Sequence, residues 1–350
     1  MLKVLFLTPW YPSDKDAMSG LFVQKHVEAV RAQGVDVHVI HSLTLRDTWH
    51  QWKKLRREGW LPDVVQLNVI QKQGLLALWL KKRYGIPYVI IEHWSGYLPQ
   101  NGSVKKHSWH TRFMQRICRH AAVVMPVSDH LAKAMQTLGF QAPKWQKINN
   151  VVDDFFYQNP RKPQSLPNLP KTLLHISCFD ERAKNVKGLL RAAKMLSEKR
   201  QDWQLVLVGT GVDYQDIRAY AAELDIPQNM LRWTGEITPR QVAEEFDRAD
   251  ALVLPSNYEN APVVISESLA KGVPVVSTNV GGIPEMVSEE CGILVSPGND
   301  SQLVEALEHM LDHHQDYNTQ RIRQQAEQYA FTAVGKQLKA IYEQTCKSAI

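Results

Sequence analysis

The chain has 350 residues, 44% apolar and 22% charged; that is ordinary for a folded protein but more than one compact core usually holds, so two domains are expected. No run of 18 uncharged apolar residues occurs, which excludes a membrane-spanning helix. Four scattered cysteines (Cys118, Cys178, Cys291, Cys346) without CxxC spacing argue for reduced thiols, a cytosolic setting and no structural zinc. The net charge of +5 conceals an asymmetry. Residues 1–150 hold 21 Lys and Arg against 9 acids, a balance of +12, and residues 151–350 hold 20 against 27, a balance of −7. Halves of opposite sign suggest domains with different partners; the basic half suits nucleic acid, anionic lipid or a phosphorylated substrate, or is an ordinary set of solvated helix faces.

In chain order, "KVLFLT" reads as a first strand rather than a signal peptide, since no small-residue cleavage site follows it. "GLFVQKHVEAVRAQG" repeats apolar residues at helical spacing and ends at Gly34. The strand-like "VDVHVI" and "DVVQLNVI" come next, then the helix-like "GLLALWLKKRYG", the strand "PYVIIEH" and an amphipathic stretch near 105–120. "AAVVMPV", a helix from Asp129 and "KINNVV" complete the first series. Uniformly apolar strands between helices imply a parallel sheet covered on both faces. The proline-rich "YQNPRKPQSLPNLPK" (157–171) is the expected linker. A second series runs through "TLLHIS", "WQLVLVG", "ALVLP", "VPVVST" and "GILVS", and the tail from about 331 reads as a final helix. The expected fold is α/β, two doubly wound domains with ligands bound where strands end and helices begin.

The stretch "SNYENAPVVISESLAKGVPVVSTNVGGIPEMV" (256–287) is one such junction. Pro262 suits a first helical turn, and the free amides of Val263 and Val264 then form an anion site at a helix N-terminus. Glu259 stands just ahead of that terminus and Glu267 inside the helix; five helical residues advance about 7.5 Å. A ligand with a diphosphate at the helix tip meets one carboxylate on each side, which is the layout of a nucleotide-sugar.

At these residues the chain resembles the retaining glycosyltransferases of the GT-B fold, family 4. The pair of glutamates eight apart, "SLAKGVPVVST" and "GGIPEMV" carry the resemblance. So do "PWYPSDKDAMSGLFVQKHVEAVRAQGVDVHVI", "PYVIIEHWSGY", "VMPVSDHLAKAM", "KINNVVDDFF", "LVLVGTG" and "RWTGEI", in the family's order over nearly the whole chain. It implies an acceptor domain over 1–157, a nucleotide-sugar domain over 158–330, a cleft between them, and a helix over 331–350 returning to the first. It also implies that Glu267 holds the ribose hydroxyls, that Glu259 acts beside the donor sugar, and that Lys184 neutralises the diphosphate. Gly235 and Ile237 face the nucleobase, Gly20 lets a loop approach the phosphates, and His93 lines the acceptor side. Two positions depart from the family: the usual arginine before the lysine is absent, with Arg182 as a substitute of different geometry, and Asn260 replaces a glycine, where asparagine tolerates a left-handed backbone.

The resemblance implies transfer from a UDP- or GDP-linked sugar to a saccharide or lipid-linked hydroxyl, with no cofactor and no metal. Asp14-Lys15-Asp16 spells a metal-binding DxD but stands in a polar loop with no further oxygen ligands suggested. Gly209-x-Gly211 begins a dinucleotide fingerprint that Tyr214 breaks. "WHQWKKLRREGW" (49–60) and "KKHSWHTRFMQRICRH" (105–120) are either core-facing stripes with charged rims or docks for an anionic membrane. No recognised nucleic-acid motif is present. The rival activities are a sugar-nucleotide epimerase on the same fold and a glycoside hydrolase; the latter needs carboxylates flanking the scissile bond about 5–10 Å apart.

Overall fold

The structure is a computed structural model that describes residues 1–13, 19–159 and 170–348. Asp14 to Asp16 and most of the expected linker lie outside those residues. The chain divides into two units, 1–151 with 328–350, and 152–327, so the boundaries fall a few residues before the positions expected from the linker prolines and the tail.

In the first unit the elements are β1 (Lys3–Thr8), α1 (Leu21–Arg31), β2 (Asp36–His41), α2 (Leu45–Arg57), β3 (Val64–Asn68), α3 (Gly74–Tyr84) and β4 (Tyr88–Glu92). They continue with α4 (Trp109–His120), β5 (Val123–Pro126) and α5 (Asp129–Thr137). The strands pair in parallel in the order β2-β1-β3-β4-β5, a doubly wound order whose switch point lies between β1 and β3. Every residue of β3 and β4 is buried, as helices on both faces of a parallel sheet require. Helix α2 buries only Thr48 and Trp52, although Leu45, Trp49, Trp52 and Leu55 follow helical spacing.

The second unit opens with α6 (Asp154–Tyr157), β6 (Lys171–Ile176), α7 (Glu181–Lys184), α8 (Val186–Ser197), β7 (Trp203–Val208), α9 (Tyr214–Glu223) and β8 (Leu231–Gly235). It continues with α10 (Pro239–Arg248), β9 (Ala251–Leu254), α11 (Val263–Lys271), β10 (Val275–Thr278), β11 (Gly292–Val295), α12 (Asp300–His313) and α13 (Thr319–Ala326). Its parallel sheet has the order β11-β10-β9-β6-β7-β8. From β6 the chain winds outward through β7 and β8, then returns to β9 on the other side. The crevice at the ends of β6 and β9 is therefore the topological switch point, where doubly wound sheets bind ligands.

The last helix, α14 (Phe331–Lys347), belongs to the first unit. Gly335 brings it close to α1: a Cβ there would stand 2.5 Å from the Ala29 carbonyl oxygen. The buried Tyr342 hydroxyl bonds Gln66 of β3, so this helix is a layer of that unit's core.

Candidate donor site and acceptor-side carboxylate

In the second unit five strand ends are joined by close backbone passage and by hydrogen bonds, all but one of them between backbones. A Cβ on Gly209 or Gly211, after β7, would lie 2.0 and 1.8 Å from the carbonyl oxygens of Ser177 and Cys178, after β6. These two glycines serve close passage of two protein segments, and that is the structural use of the Gly-x-Gly pair. The Gly209 amide donates to the Gly235 carbonyl at 2.8 Å, the Glu181 amide to Asp213 Oδ2 at 2.8 Å, and the Asn257 amide to the Ala183 carbonyl at 2.8 Å. Gly281, with φ of +57°, would place a Cβ 1.7 Å from the Glu259 carbonyl oxygen. Only glycine fits there, for sterics and for backbone alike. Asn260 is absent from the positive-φ residues. The left-handed turn expected at the family's glycine position is thus not made by Asn260; the tight, left-handed residue beside Glu259 is Gly281.

This stitching brings Lys184 and Glu259 together. Asp180 caps α7 by accepting from the Ala183 amide, α7 ends at Lys184, and the Lys184 ammonium donates to Glu259 Oε1, which also accepts from Ser256 Oγ at 3.1 Å. Burial pulls the lysine pKa down, but Glu259, helped by Cys178 and Asp180, outweighs that and leaves it above its usual value. The ammonium is therefore retained in a largely desolvated place, where charge acts strongly on a ligand. Behind it, buried His175 bonds the Val253 carbonyl of β9 at 2.9 Å and Ser177 Oγ at 2.9 Å. Burial lowers its pKa to about 4, so it is a neutral brace between the two strands.

Beyond Glu259, α11 starts at Val263, with Pro262 one residue ahead of the first turn rather than inside it and no side chain capping the helix. Its first amides, Val263 and Val264 among them, have no partners within the helix. Glu267 lies one turn below Val263 on the same side of α11. Burial, with Asp153 adding like charge, pushes its carboxyl up to about 8. Arg182 is exposed and does not join the Lys184–Glu259 pair; its carbonyl accepts from Asn257 Nδ2 at 3.1 Å. Gly235, with φ of +70°, has open space where a Cβ would be, and Ile237 is half-buried beyond the end of β8.

In the first unit, Gly20 sits at the start of α1 with φ of +67°, and a Cβ there would meet the Trp10 carbonyl carbon at 2.3 Å. Its glycine is required by the chain's own loop. His93 follows β4, with its ring 4.3 Å from that of Phe22 and 5.6 Å from that of His26. Burial, and then the neighbouring His26, hold its pKa well below the usual value, so its imidazole is neutral.

Sequence reasoning missed Glu92. This wholly buried carboxylate accepts on Oε2 from the Ile70 amide and the Tyr97 hydroxyl, both at 2.9 Å, and on Oε1 from the His93 and Trp94 amides, both at 3.0 Å. It ties the loop after β3, where Val69 has a φ of +64°, to the loop carrying His93. The signal was available: between Asp63 and Asp129 it is the sole acidic residue, and it closes an otherwise apolar strand. Burial pushes its carboxyl up to about 7, against the four donors that favour the ionised form. Glu92→Gln leaves one acceptor where two stood and sets an NH2 group against amide donors. It should lower turnover about tenfold or more with an unchanged donor KM; a changed donor KM at full turnover would contradict a role on this side.

Two family models together cover most of the chain. A family model described as "Glycosyl transferases group 1" matches residues 157–329, and one described as "Glycosyl transferase 4-like domain" matches residues 4–150. The chain belongs to the family-4 glycosyltransferases of the GT-B fold. TuaC of Bacillus subtilis (strain 168), a glycosyltransferase assigned to teichuronic acid biosynthesis, is 24% identical over 87% of this chain and 88% of its own length. Several other curated glycosyltransferases and a glucosaminyl malate synthase are matched over 47–59% of theirs. Among solved structures, sucrose-phosphate synthase from Thermosynechococcus elongatus superposes with a TM-score of 0.82 at 18% identity, covering 99% of this chain and all of that one. Anabaena HepE in complex with UDP-glucose gives 0.78 at 17% identity, covering 98% and 100%. For this glycosyltransferase the matched fold is the two parallel-sheet units described above.

Proposed function

We propose that this glycosyltransferase moves a sugar, with retained configuration, from a nucleotide-diphosphate sugar to a hydroxyl acceptor in surface polysaccharide or glycolipid synthesis. The observation that carries the proposal is the Lys184–Glu259 pair at the β6/β9 switch point, next to the uncapped start of α11. A diphosphate placed there takes charge from the lysine and the helix amides, without a metal. Glu267, one turn further in, takes the ribose hydroxyls, Glu259 the sugar side, and Gly235 and Ile237 the base. Asn260 and Arg182 flank the sugar and diphosphate. His93, neutral and anchored through Glu92, serves the acceptor. The leaving phosphate itself takes the acceptor proton. TuaC's assignment to teichuronic acid biosynthesis and HepE's complex with UDP-glucose support a saccharide acceptor and a UDP-linked donor.

The test is thermal unfolding with a panel of nucleoside diphosphates. A ligand at 100 times its dissociation constant stabilises the native state by about 2.7 kcal/mol. One base, uracil in the expected case, should raise the melting temperature in this way. A flat response to every base would remove the donor reading. Among the described residues no helix is long and apolar enough to cross a membrane. In this proposal the basic first unit, with its balance of +12, is the part that would meet a membrane carrying a lipid-linked acceptor.

A further inference from the structure

One helical face of the first unit combines exposed apolar side chains with exposed cations. Helices α2, α3 and α4 form a continuous layer on it. The Trp49 ring of α2 meets the Trp79 ring of α3 at 5.0 Å. Gly74 of α3 lies so close to α4 that a Cβ would stand 2.7 Å from Ile117 Cδ1, and Lys81 Nζ donates to the His120 carbonyl at 2.7 Å. Seven large apolar side chains of the described residues are exposed, and four belong here: Leu43 (65%) just ahead of α2, Leu75 (37%) and Tyr84 (38%) on α3, and Trp109 (81%) at the start of α4. Of the two readings open for residues 105–120, the core-facing stripe holds for Ile117, which is buried, and Phe113, which is half-buried, and not for Trp109, which stands in solvent.

On its α3–α4 part the exposed charge has one sign; the acids Asp47 and Glu58 lie on α2 and at its end. Between Asp63 and Asp129 the chain holds nine Lys and Arg, and its sole acid, Glu92, is buried. All nine cations are exposed: Lys72, Lys81, Lys82 and Arg83 around α3, and Lys105, Lys106, Arg112, Arg116 and Arg119 around α4. None of the nine forms a salt bridge with a carboxylate among the described residues. Unpaired cations around protruding Trp, Tyr and Leu match the headgroup zone of an anionic bilayer, where cations meet phosphates and aromatic or aliphatic side chains enter the interface. A soluble polyanion would account for the cations but not for the apolar side chains.

We infer that the α3–α4 face, with Leu43 and the start of α2 at its rim, docks this protein on anionic phospholipid. The inference rests on the membrane-contact part of the functional reading and gives it an address. It is tested by sedimenting the full chain with phosphatidylcholine vesicles, with and without phosphatidylglycerol. Binding should require the anionic lipid. Each Lys or Arg near such a surface contributes about 1 kcal/mol, about fivefold, so Arg112→Gln/Arg116→Gln should weaken partitioning about 25-fold. Trp109→Ala should weaken it as well, whereas Lys133→Gln on α5 should leave it unchanged. Unfolding temperature and donor hydrolysis should stay at wild-type values in all three variants, since none touches the donor residues. Equal binding to both vesicle types, or binding that ignores the α4 substitutions, overturns the inference while leaving the transferase reading intact. Vesicle binding that dextran sulfate displaces and Trp109→Ala does not affect would make the face a polyanion site and overturns it too. Lost donor hydrolysis in the wild-type protein with vesicle binding preserved would count against the transferase reading instead.

Discussion

Replacing Lys184 with alanine should cut turnover by about 10²–10³-fold, the usual loss when one preorganised charge on a leaving group is removed. The same change strands the Glu259 carboxylate in a nearly buried place, where it has lost the ammonium that balanced it and retains Ser256 Oγ. Breaking such a pair from one side costs about 3 kcal/mol, because the surviving charge pays no less desolvation than before. Stability and catalysis therefore fall together in the single variant, and activity alone cannot tell them apart. The double variant Lys184→Met/Glu259→Gln separates them. It removes both charges, so its unfolding midpoint should return toward wild type while turnover stays at the level of the worse single variant or below. Recovery of turnover along with stability would mean that the pair is only a brace between α7 and the loop after β9.

The second large effect concerns pH. Glu267, with its carboxyl pushed up to about 8, is mostly protonated in the ligand-free protein at neutral pH. A ribose diol is best held by the carboxylate, which accepts from both hydroxyls. Affinity for an intact nucleotide-sugar, whose diphosphate does not titrate near neutrality, should rise up to tenfold per pH unit below about 8 and level off above it. Glu267→Gln should flatten that profile and lower its plateau. Folding runs in the opposite direction. The folded-state pKa is above the unfolded value, so this group's contribution to stability is full below about pH 4.5 and is lost as pH rises through about 8. The slope is at most about 1.4 kcal/mol per unit. Relative to wild type, the glutamine variant should gain stability across that window while it loses donor affinity. Isothermal titration and chemical unfolding at several pH values read both. A wild-type affinity that is flat with pH and equal to that of the variant would separate Glu267 from the ribose.

Legibility followed burial and spacing. The fully buried parallel strands β3 and β4 and the second-domain series through β9 and β10 show as largely apolar runs, because a strand covered on both faces is apolar at most positions; the buried Gln66 and Asn68 of β3 are admitted because they bond each other. The glutamates of 256–287 show because two carboxylates interrupt such a run. Helix α2 was not read as an element: Leu45, Trp49, Trp52 and Leu55 keep helical spacing, but they are few among charged residues and only Trp52 of the four is buried. Trp109 was open to two readings because a four-residue spacing states which side chains share a face, and not whether that face meets protein or water.

Residue types and their order along the chain, without any structure, were enough for the parallel α/β class, the paired glutamates, the lysine after the first strand of the second half and the basic first half. All of these are properties of short segments or of composition. What folding alone decided are the partnerships of residues far apart in the chain. Lys184 meets Glu259 because strand order puts β6 beside β9. Gly281 rather than Asn260 supplies the tight turn because two backbones pass within contact there. Glu92 gathers donors from two loops because β4 lies next to β3. Sequence spacing carries local geometry, whereas strand order sets distances across a sheet, and a site at a switch point depends on the second.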